Sequence, residues 1–244
     1  MFSLSTRVRY SELDDSGHLS IEALLNYLQD CAVFHCESVG RSVQALLDDG
    51  LAWFVLSWDI TVKRLPGLGE EIEVSTRVPH ISGRTCQRLV TISGPDGETL
   101  VEADSTWTLF DHREGHPIRV PEAEIAYFAE ELEEGRARIT RTDRFDRAQG
   151  RMSADIAVSE HHLDTNRHVN NVRYIEFAEA AATEVLGEDA LPSAPLRIVV
   201  EYRRMMVLGD TAHPLVVSDD CGVFVSLDDE EGEAYAIVQF SPGK

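Results

Sequence analysis

Asp164-Thr165-Asn166-Arg167-His168-Val169-Asn170-Asn171-Val172-Arg173-Tyr174 sets polar side chains capable of chemistry directly before an apolar helical pattern. An acid, an amide and an imidazole stand two residues apart, so in an extended segment Asp164, Asn166 and His168 share one face. Asn170 suits a helix N-cap, and Val172, Ile175, Ala178, Ala182 and Val185 recur at helical spacing up to Leu186. Such a helix aims its N-terminus, with the N–H groups around Val169 and Asn170, at the same small volume.

The arrangement occurs twice. Ser11-Glu12 and Ser159-Glu160 open the two copies, and each copy then shows an Asp and a His four apart, Asp14 with His18 and Asp164 with His168. The first is followed by a helix candidate over Ser20 to Val39, with Ile21, Leu24, Leu25, Leu28 and Ala32 on one side. Further on, Trp58 to Glu70 reads WDITVKRLPGLGE and Ile198 to Asp210 reads IVVEYRRMMVLGD. Each is a strand, a basic pair and Leu-Gly-acid. Three strand-like runs follow in each half, the last two joined by an acidic turn, Gly94 to Glu98 and Asp228 to Glu233. Asp14 to Gly69 spans 55 positions and Asp164 to Gly209 spans 45, so the first copy carries about ten extra residues, assigned to a short helix over Arg41 to Gly50.

One helix and a set of antiparallel strands, repeated, is an α+β pattern. Ala178, Ala180, Ala181 and Ala182 point to a central helix apolar on most faces, with a sheet curved closely around it. The expected division is 1–118, a connecting segment 119–150, and 151–244. Within the connection, Pro121 to Gly135 is a helix candidate with Ile125, Phe128, Ala129 and Leu132 on one side. The Arg run after it, Arg136, Arg138, Arg141, Arg144, Arg147 and Arg151, either docks an acidic partner or pairs with the preceding Glu run as a solvated strand.

Composition narrows the function. The net charge of −21 opposes wrapping of nucleic acid, whose affinity comes from phosphate neutralisation. Any anionic partner needs a local basic patch. No run approaches the roughly 18 apolar residues of a membrane span, and Met1 to Tyr10 does not read as a signal peptide, so the expected address is the cytoplasm. Cys31, Cys36, Cys86 and Cys221 form no CxxC pair, and His161 and His162 beside the Asp164 loop lack a zinc-type pattern, so neither a metal nor a cofactor is expected. No Gly-x-Ser-x-Gly elbow is present.

The residues Asp164-x-Asn166-x-His168-Val169-Asn170-Asn171-Val172-x-Tyr174-Ile175, followed by Glu201-Tyr202-Arg203-Arg204, resemble the acyl-carrier-protein thioesterases of plants and bacteria. That resemblance implies a tandem, or double, hotdog fold that hydrolyses fatty acyl thioesters of acyl carrier protein without cofactors. It also implies that the first hotdog mainly shapes the acyl-chain pocket and the second carries catalysis. Carried over residue by residue, Asp164, Asn166 and His168 take the catalytic positions, and Val169, Asn170, Asn171 and Tyr174 the substrate-facing ones. The family usually continues Glu-Tyr-Arg-Arg with an acid, and plant members then with Cys. This chain has Met205 and Met206, whose thioethers can neither take a proton nor attack a carbonyl.

Thioester hydrolysis needs a polarised carbonyl, an activated water or a carboxylate nucleophile, and donors for the oxyanion. Asp164 is expected to activate water or attack directly, Asn166 to hold the water or carboxylate, His168 to orient or shuttle a proton, and the Val169 and Asn170 N–H groups to receive the oxyanion. Glu201 is the alternative carboxylate. Arg203 and Arg204, with Arg167 and Arg173, offer a basic entrance for a phosphopantetheine arm or acidic carrier, and Trp53, Phe54, Trp58 and Trp107 line an acyl tunnel or fill the core. Asp14 and His18, lacking the amide, mark a silent copy. The partner is then acyl carrier protein, and the chain a monomer or homodimer. Competing readings are a coenzyme A thioesterase, a hotdog dehydratase and a non-catalytic acyl-binding protein.

Overall fold

The computed structural model describes Met1–Gly243 as two units, Met1–Thr140 and Arg141 onward. In the first unit the chain runs β1 (Phe2–Arg7), α1 (Ile21–Ser38), α2 (Val43–Asp48), β2 (Leu51–Val62), β3 (Glu71–Ser82), β4 (Thr85–Ser93), β5 (Thr99–Asp111), β6 (His116–Pro117) and α3 (Glu122–Ala126). Its antiparallel strands lie in the order β1-β3-β4-β5-β2, with β6 added to β5. The second unit runs β7 (Arg151–Met152), β8 (Ile156–Ala157), α4 (Asn171–Leu186), β9 (Leu196–Tyr202), β10 (Thr211–Asp219), β11 (Gly222–Asp228) and β12 (Ala234–Pro242), in the order β9-β12-β11-β10-β7 with β8 also on β10.

In each unit one long helix lies against the sheet because two patterns meet. Strand β4 buries every second residue, Cys86, Arg88, Val90 and Ile92, and α1 presents Leu24, Leu25, Leu28, Cys31 and Ala32 at helical spacing. Each fully buried Leu contributes about 2 kcal/mol. The helices begin where expected: the Ser20 hydroxyl accepts the Ala23 N–H at 3.1 Å, and Asn170 Oδ1 accepts the Val172 N–H at 3.2 Å. Helix α4 departs from expectation in one respect. It buries Val172, Tyr174, Ile175, Phe177, Ala178, Ala181 and Ala182 but leaves Ala180 exposed, so it is covered on one face only.

The ten-residue insertion contains α2, as its spacing predicts. The helix candidate Pro121 to Gly135 shortens to α3, and the chain after it turns repeatedly. Tertiary contacts outcompete helix there. The Glu131 carboxylate accepts the Val78 N–H at 2.7 Å, the Glu133 N–H reaches Pro79 O at 2.8 Å, and Phe128 joins Val78 and Cys86 in the core.

The Arg-rich connection does not pair with the Glu run as a strand, and two of its exposed arginines, Arg141 and Arg147, are tied to the second sheet. Residues 141–147 lie across one face of the second sheet. Arg141 bonds Glu201 at 2.9 Å, the Thr142 N–H and hydroxyl also donate to Glu201, Asp143 and Gln239 exchange two bonds at 2.9 Å, and Phe145 stacks on Phe224. Arg147 reaches Asp228 at 2.6 Å and Ser226 at 2.9 Å. Glu201, Gln239, Ser226 and Asp228 are all buried. Buried polar groups require partners, and this segment supplies them.

Candidate active site

The segment that carries Asp164, Asn166 and His168 is a tight turn and not an extended run. The Arg167 N–H donates to Asp164 O at 3.0 Å, the Asp164 N–H donates to His168 O at 2.8 Å, and Leu163 bridges Val169. Convergence of Asp164 with His168 therefore comes from a hairpin-like closure. Asp164 Oδ1 accepts two backbone N–H groups, from Asn166 at 2.8 Å and His168 at 3.2 Å. The loop then passes β9's continuation, where His168 bridges Val207 and the Val169 N–H donates to Met206 O at 2.9 Å.

The first copy reproduces this framework bond for bond. Asp14 Oδ1 accepts the N–H groups of Ser16 and His18, the Asp14 N–H reaches His18 O at 2.8 Å, Leu13 bridges Leu19, and the Leu19 N–H donates to Pro66 O at 2.9 Å. Identical bonds in a copy without the amide mean that these bonds build the turn. What distinguishes the second copy is its side chains. Asn166 stands where Ser16 does, and Arg167 stands where Gly17 does.

Arg167 has φ of 61°, among the described residues the one non-glycine at positive φ, while Gly17 has φ of 80°. A side chain in the left-handed region costs about 1 kcal/mol or more. The sequence carried this signal in the Gly17–Arg167 correspondence. Arg167→Gly should therefore raise stability by about 1 kcal/mol, seen in calorimetry as a melting temperature higher by a few degrees. A lower melting temperature would mean that the Arg167 side chain stabilises the loop.

Several expected site residues have other work. The Val169 and Asn170 N–H groups are spent on Met206 O and His162 O, both at 2.9 Å, so neither is open to an oxyanion. Val169 and Tyr174 are buried. The Tyr174 hydroxyl accepts the Met206 N–H at 2.8 Å, and Tyr202, packed edge-on against Tyr174, donates to Asn171 O at 2.9 Å. These two tyrosines hold the Met205–Val207 segment to the start of α4. Burial drives both phenols well above their ordinary pKa, which keeps them protonated and able to bond.

Glu201 is committed to Arg141 and Thr142 and is no alternative base. Arg204 pairs with Asp229 at 2.6 Å and lies over the Tyr235 ring, Arg203 approaches Glu201 at 3.6 Å, and Arg173 pairs with Glu176. Arg167 is exposed. His162 Nδ1 accepts the Ser159 N–H, and its ring meets Phe177 edge-on. Met206 is buried, whereas Met205 is exposed where the family resemblance expects an acid. Trp58 is fully buried against Trp107.

Comparison with known proteins agrees with this architecture. The acyl-ACP thioesterase N-terminal domain family matches residues 1–128, and the C-terminal domain of the same family matches residues 146–237. A palmitoyl-acyl carrier protein thioesterase, chloroplastic, from Gossypium hirsutum is 28% identical over 219 residues, 84% of this chain and 52% of the relative. The FATB3 acyl-[acyl-carrier-protein] hydrolase of Cuphea viscosissima is 29% identical over 85% of this chain and 53% of its own length. The chain thus spans about half the length of the curated relatives it matches. Among solved structures, a 12:0-ACP thioesterase from Umbellularia californica superposes with a TM-score of 0.84 at 19% identity, covering 98% of this chain and 96% of that one. An acyl-ACP thioesterase from Bacteroides thetaiotaomicron gives 0.82 at 19% identity, over 98% and 96%. The fold is the double hotdog.

Proposed function

The chain belongs to the acyl-ACP thioesterase family, and from that membership we propose that it hydrolyses the thioester of a fatty acyl–acyl carrier protein, releasing a fatty acid and the carrier thiol. The observation that supports this most directly is the turn in the second unit. The same framework, with an aspartate and a histidine, exists twice, and only the second copy adds an amide to it.

In the proposed reaction water adds to the thioester carbonyl carbon, the tetrahedral oxyanion collapses, the C–S bond breaks, and the thiolate takes up a proton. Asp164 activates the water through Oδ2, since Oδ1 is occupied by two N–H groups. Or it attacks directly through Oδ2, expelling the thiolate and forming a mixed anhydride that water then hydrolyses to the fatty acid and free Asp164. Asn166 positions the water and, because the Val169 and Asn170 N–H groups are engaged, its side-chain NH2 is assigned to the oxyanion. His168 orients the water or carries the proton. A thiol leaves readily, with a pKa near ~8.5, so the exposed thioether of Met205 where the family places an acid is tolerable.

The test is release of free thiol from acyl-carrier-protein thioesters of graded chain length beside matched coenzyme A thioesters. Preferred turnover of the carrier-protein series is expected. Preference for coenzyme A would reassign the carrier, and tight binding without thiol release would make this a non-catalytic acyl-binding protein. A cytoplasmic address belongs to the same proposal. Among the described residues no helix is long and apolar enough to cross a membrane, and the named plant relatives are chloroplastic.

A further inference from the structure

The helix-facing layer of the first unit contains a charge that the fold does not demand. Arg88 on β4 is 5% exposed, and no carboxylate lies within ion-pair distance of it among the described residues. Its Nη1 donates to His35 Nδ1 at 2.9 Å and to Thr76 Oγ1 at 3.2 Å, while Nη2 meets only the Cys36 thiol, at 3.6 Å. Phe128 lies under the guanidinium at 5.9 Å. Thr76 passes its own proton to Leu89 O, and His35 Nε2 faces Glu131 at 3.2 Å. A sulfur is a weak acceptor, so Nη2 keeps donor capacity that its surroundings leave largely unused.

The duplicated fold supplies an internal control. The hairpin bonds Gly94 N–H to Glu98 O and Asp229 N–H to Glu233 O set the register between copies. Thr76 opposes Val90 as Val216 opposes Val225, and Arg88 opposes Ser105 as Val223 opposes Phe240. Counted from the caps Ser20 and Asn170, His35 corresponds to Val185. The second unit therefore fills with Val216, Val223, Phe240 and Val185 the places that the first fills with Thr76, Arg88, Ser105 and His35. Val216, Val223 and Phe240 are buried. Apolar side chains satisfy the same architecture, and a buried ion generally costs stability relative to an apolar replacement.

We infer that Arg88 is a specificity determinant, a buried guanidinium in the helix-facing layer of the first unit that selects acyl chains carrying an acceptor oxygen over plain saturated chains. The inference rests on the reading that the first unit receives the acyl chain. A methylene set against this already desolvated guanidinium returns no bond, whereas a hydroxyl or oxo oxygen completes the donor set of Nη2. His35 and Thr76 act as positioning residues that fix the plane of the fork, and they need not touch the ligand.

The test is binding, by calorimetry, of non-hydrolysable amide analogues of acyl-pantetheine, saturated or carrying one hydroxyl placed from mid-chain to the terminus. At one hydroxyl position the wild-type protein should bind about tenfold tighter than it binds the saturated analogue, as expected for a hydrogen bond to a charged group. Arg88→Met should erase that preference and tighten the saturated analogue, and Arg88→Lys should retain part of it. If Arg88→Met does not fold, the pair Thr76→Val with Arg88→Val, which carries the second unit's residues, takes its place. The inference is overturned if the wild-type protein prefers no hydroxyl position, or if the preference survives loss of Arg88. Running the thioester forms in parallel separates the two readings. Arg88-dependent binding without thiol release overturns the thioesterase and leaves this site standing, whereas thiol release with an Arg88-independent profile does the reverse.

Discussion

Asp164→Asn is expected to lower kcat on an acyl-carrier-protein thioester by about 100-fold or more, with the melting temperature nearly unchanged, while Asp14→Asn alters neither. The pairing matters because the two aspartates do the same structural work. Each accepts two backbone N–H groups on Oδ1 and thereby closes the same turn. An Asn side-chain carbonyl has two lone pairs and can accept both N–H groups, so the amide preserves the turn and removes only the charge and basicity. Asp→Ala would not isolate the chemistry. It would strip the acceptor and leave two N–H groups unsatisfied, at about 1–3 kcal/mol. If Asp164→Asn turns over normally, Asp164 is a turn former in both copies, and the reaction falls to Asn166 and His168. If both Asn variants lose stability equally, the amide does not reproduce the turn, and His168→Ala becomes the cleaner probe of the same site.

The duplicated architecture was legible because its markers are local. Asp14 with His18 and Asp164 with His168 sit on turns whose bonds span four residues, and Gly69 and Gly209 close the next turn in each copy. The family resemblance then named the fold that the comparisons show. What escaped the sequence is non-local. In the sequence Glu201 is an alternative catalytic carboxylate and Asp228 the start of an acidic turn, and only a segment 60 to 81 residues away in the chain explains their burial. The oxyanion assignment failed similarly, because whether an N–H group is free depends on a carbonyl arriving from another element, here Met206 for Val169. Arg88 and His35 show no periodic anomaly at all, since each sits on the buried side of its own element.

His35→Ala should destabilise the first unit by about 3 kcal/mol and flatten part of the acid limb of its stability curve. Two losses combine. The substitution leaves a void beside Phe128 and Phe2, and it removes the group that joins the buried Arg88 guanidinium to the Glu131 carboxylate. Because Nδ1 accepts from Arg88, the proton of the neutral ring belongs on Nε2, which donates to Glu131. Burial first, and the Arg88 charge next, hold the His35 pKa down from 6.5 to about 4, against the opposing pull of Glu131. The groups facing the ring are Arg88, Glu131 and the Met1 amino group, with the Cys36 thiol on the far side of Arg88. The unfolded chain therefore takes a proton on His35 near pH 6.5 while the folded one does not until about pH 4. Stability from this residue is complete above pH 6.5 and is lost as the pH falls toward 4, at up to about 1.4 kcal/mol per pH unit. Glu131, whose pKa lies below its ordinary value, adds a loss of the same sign at lower pH, and that loss persists in the variant. Denaturant unfolding from pH 7 to pH 4.5 should show the wild-type curve falling more steeply than the His35→Ala curve. Parallel curves would mean that His35 titrates alike in the folded and unfolded chains, and that Arg88 imposes no charge on its ring.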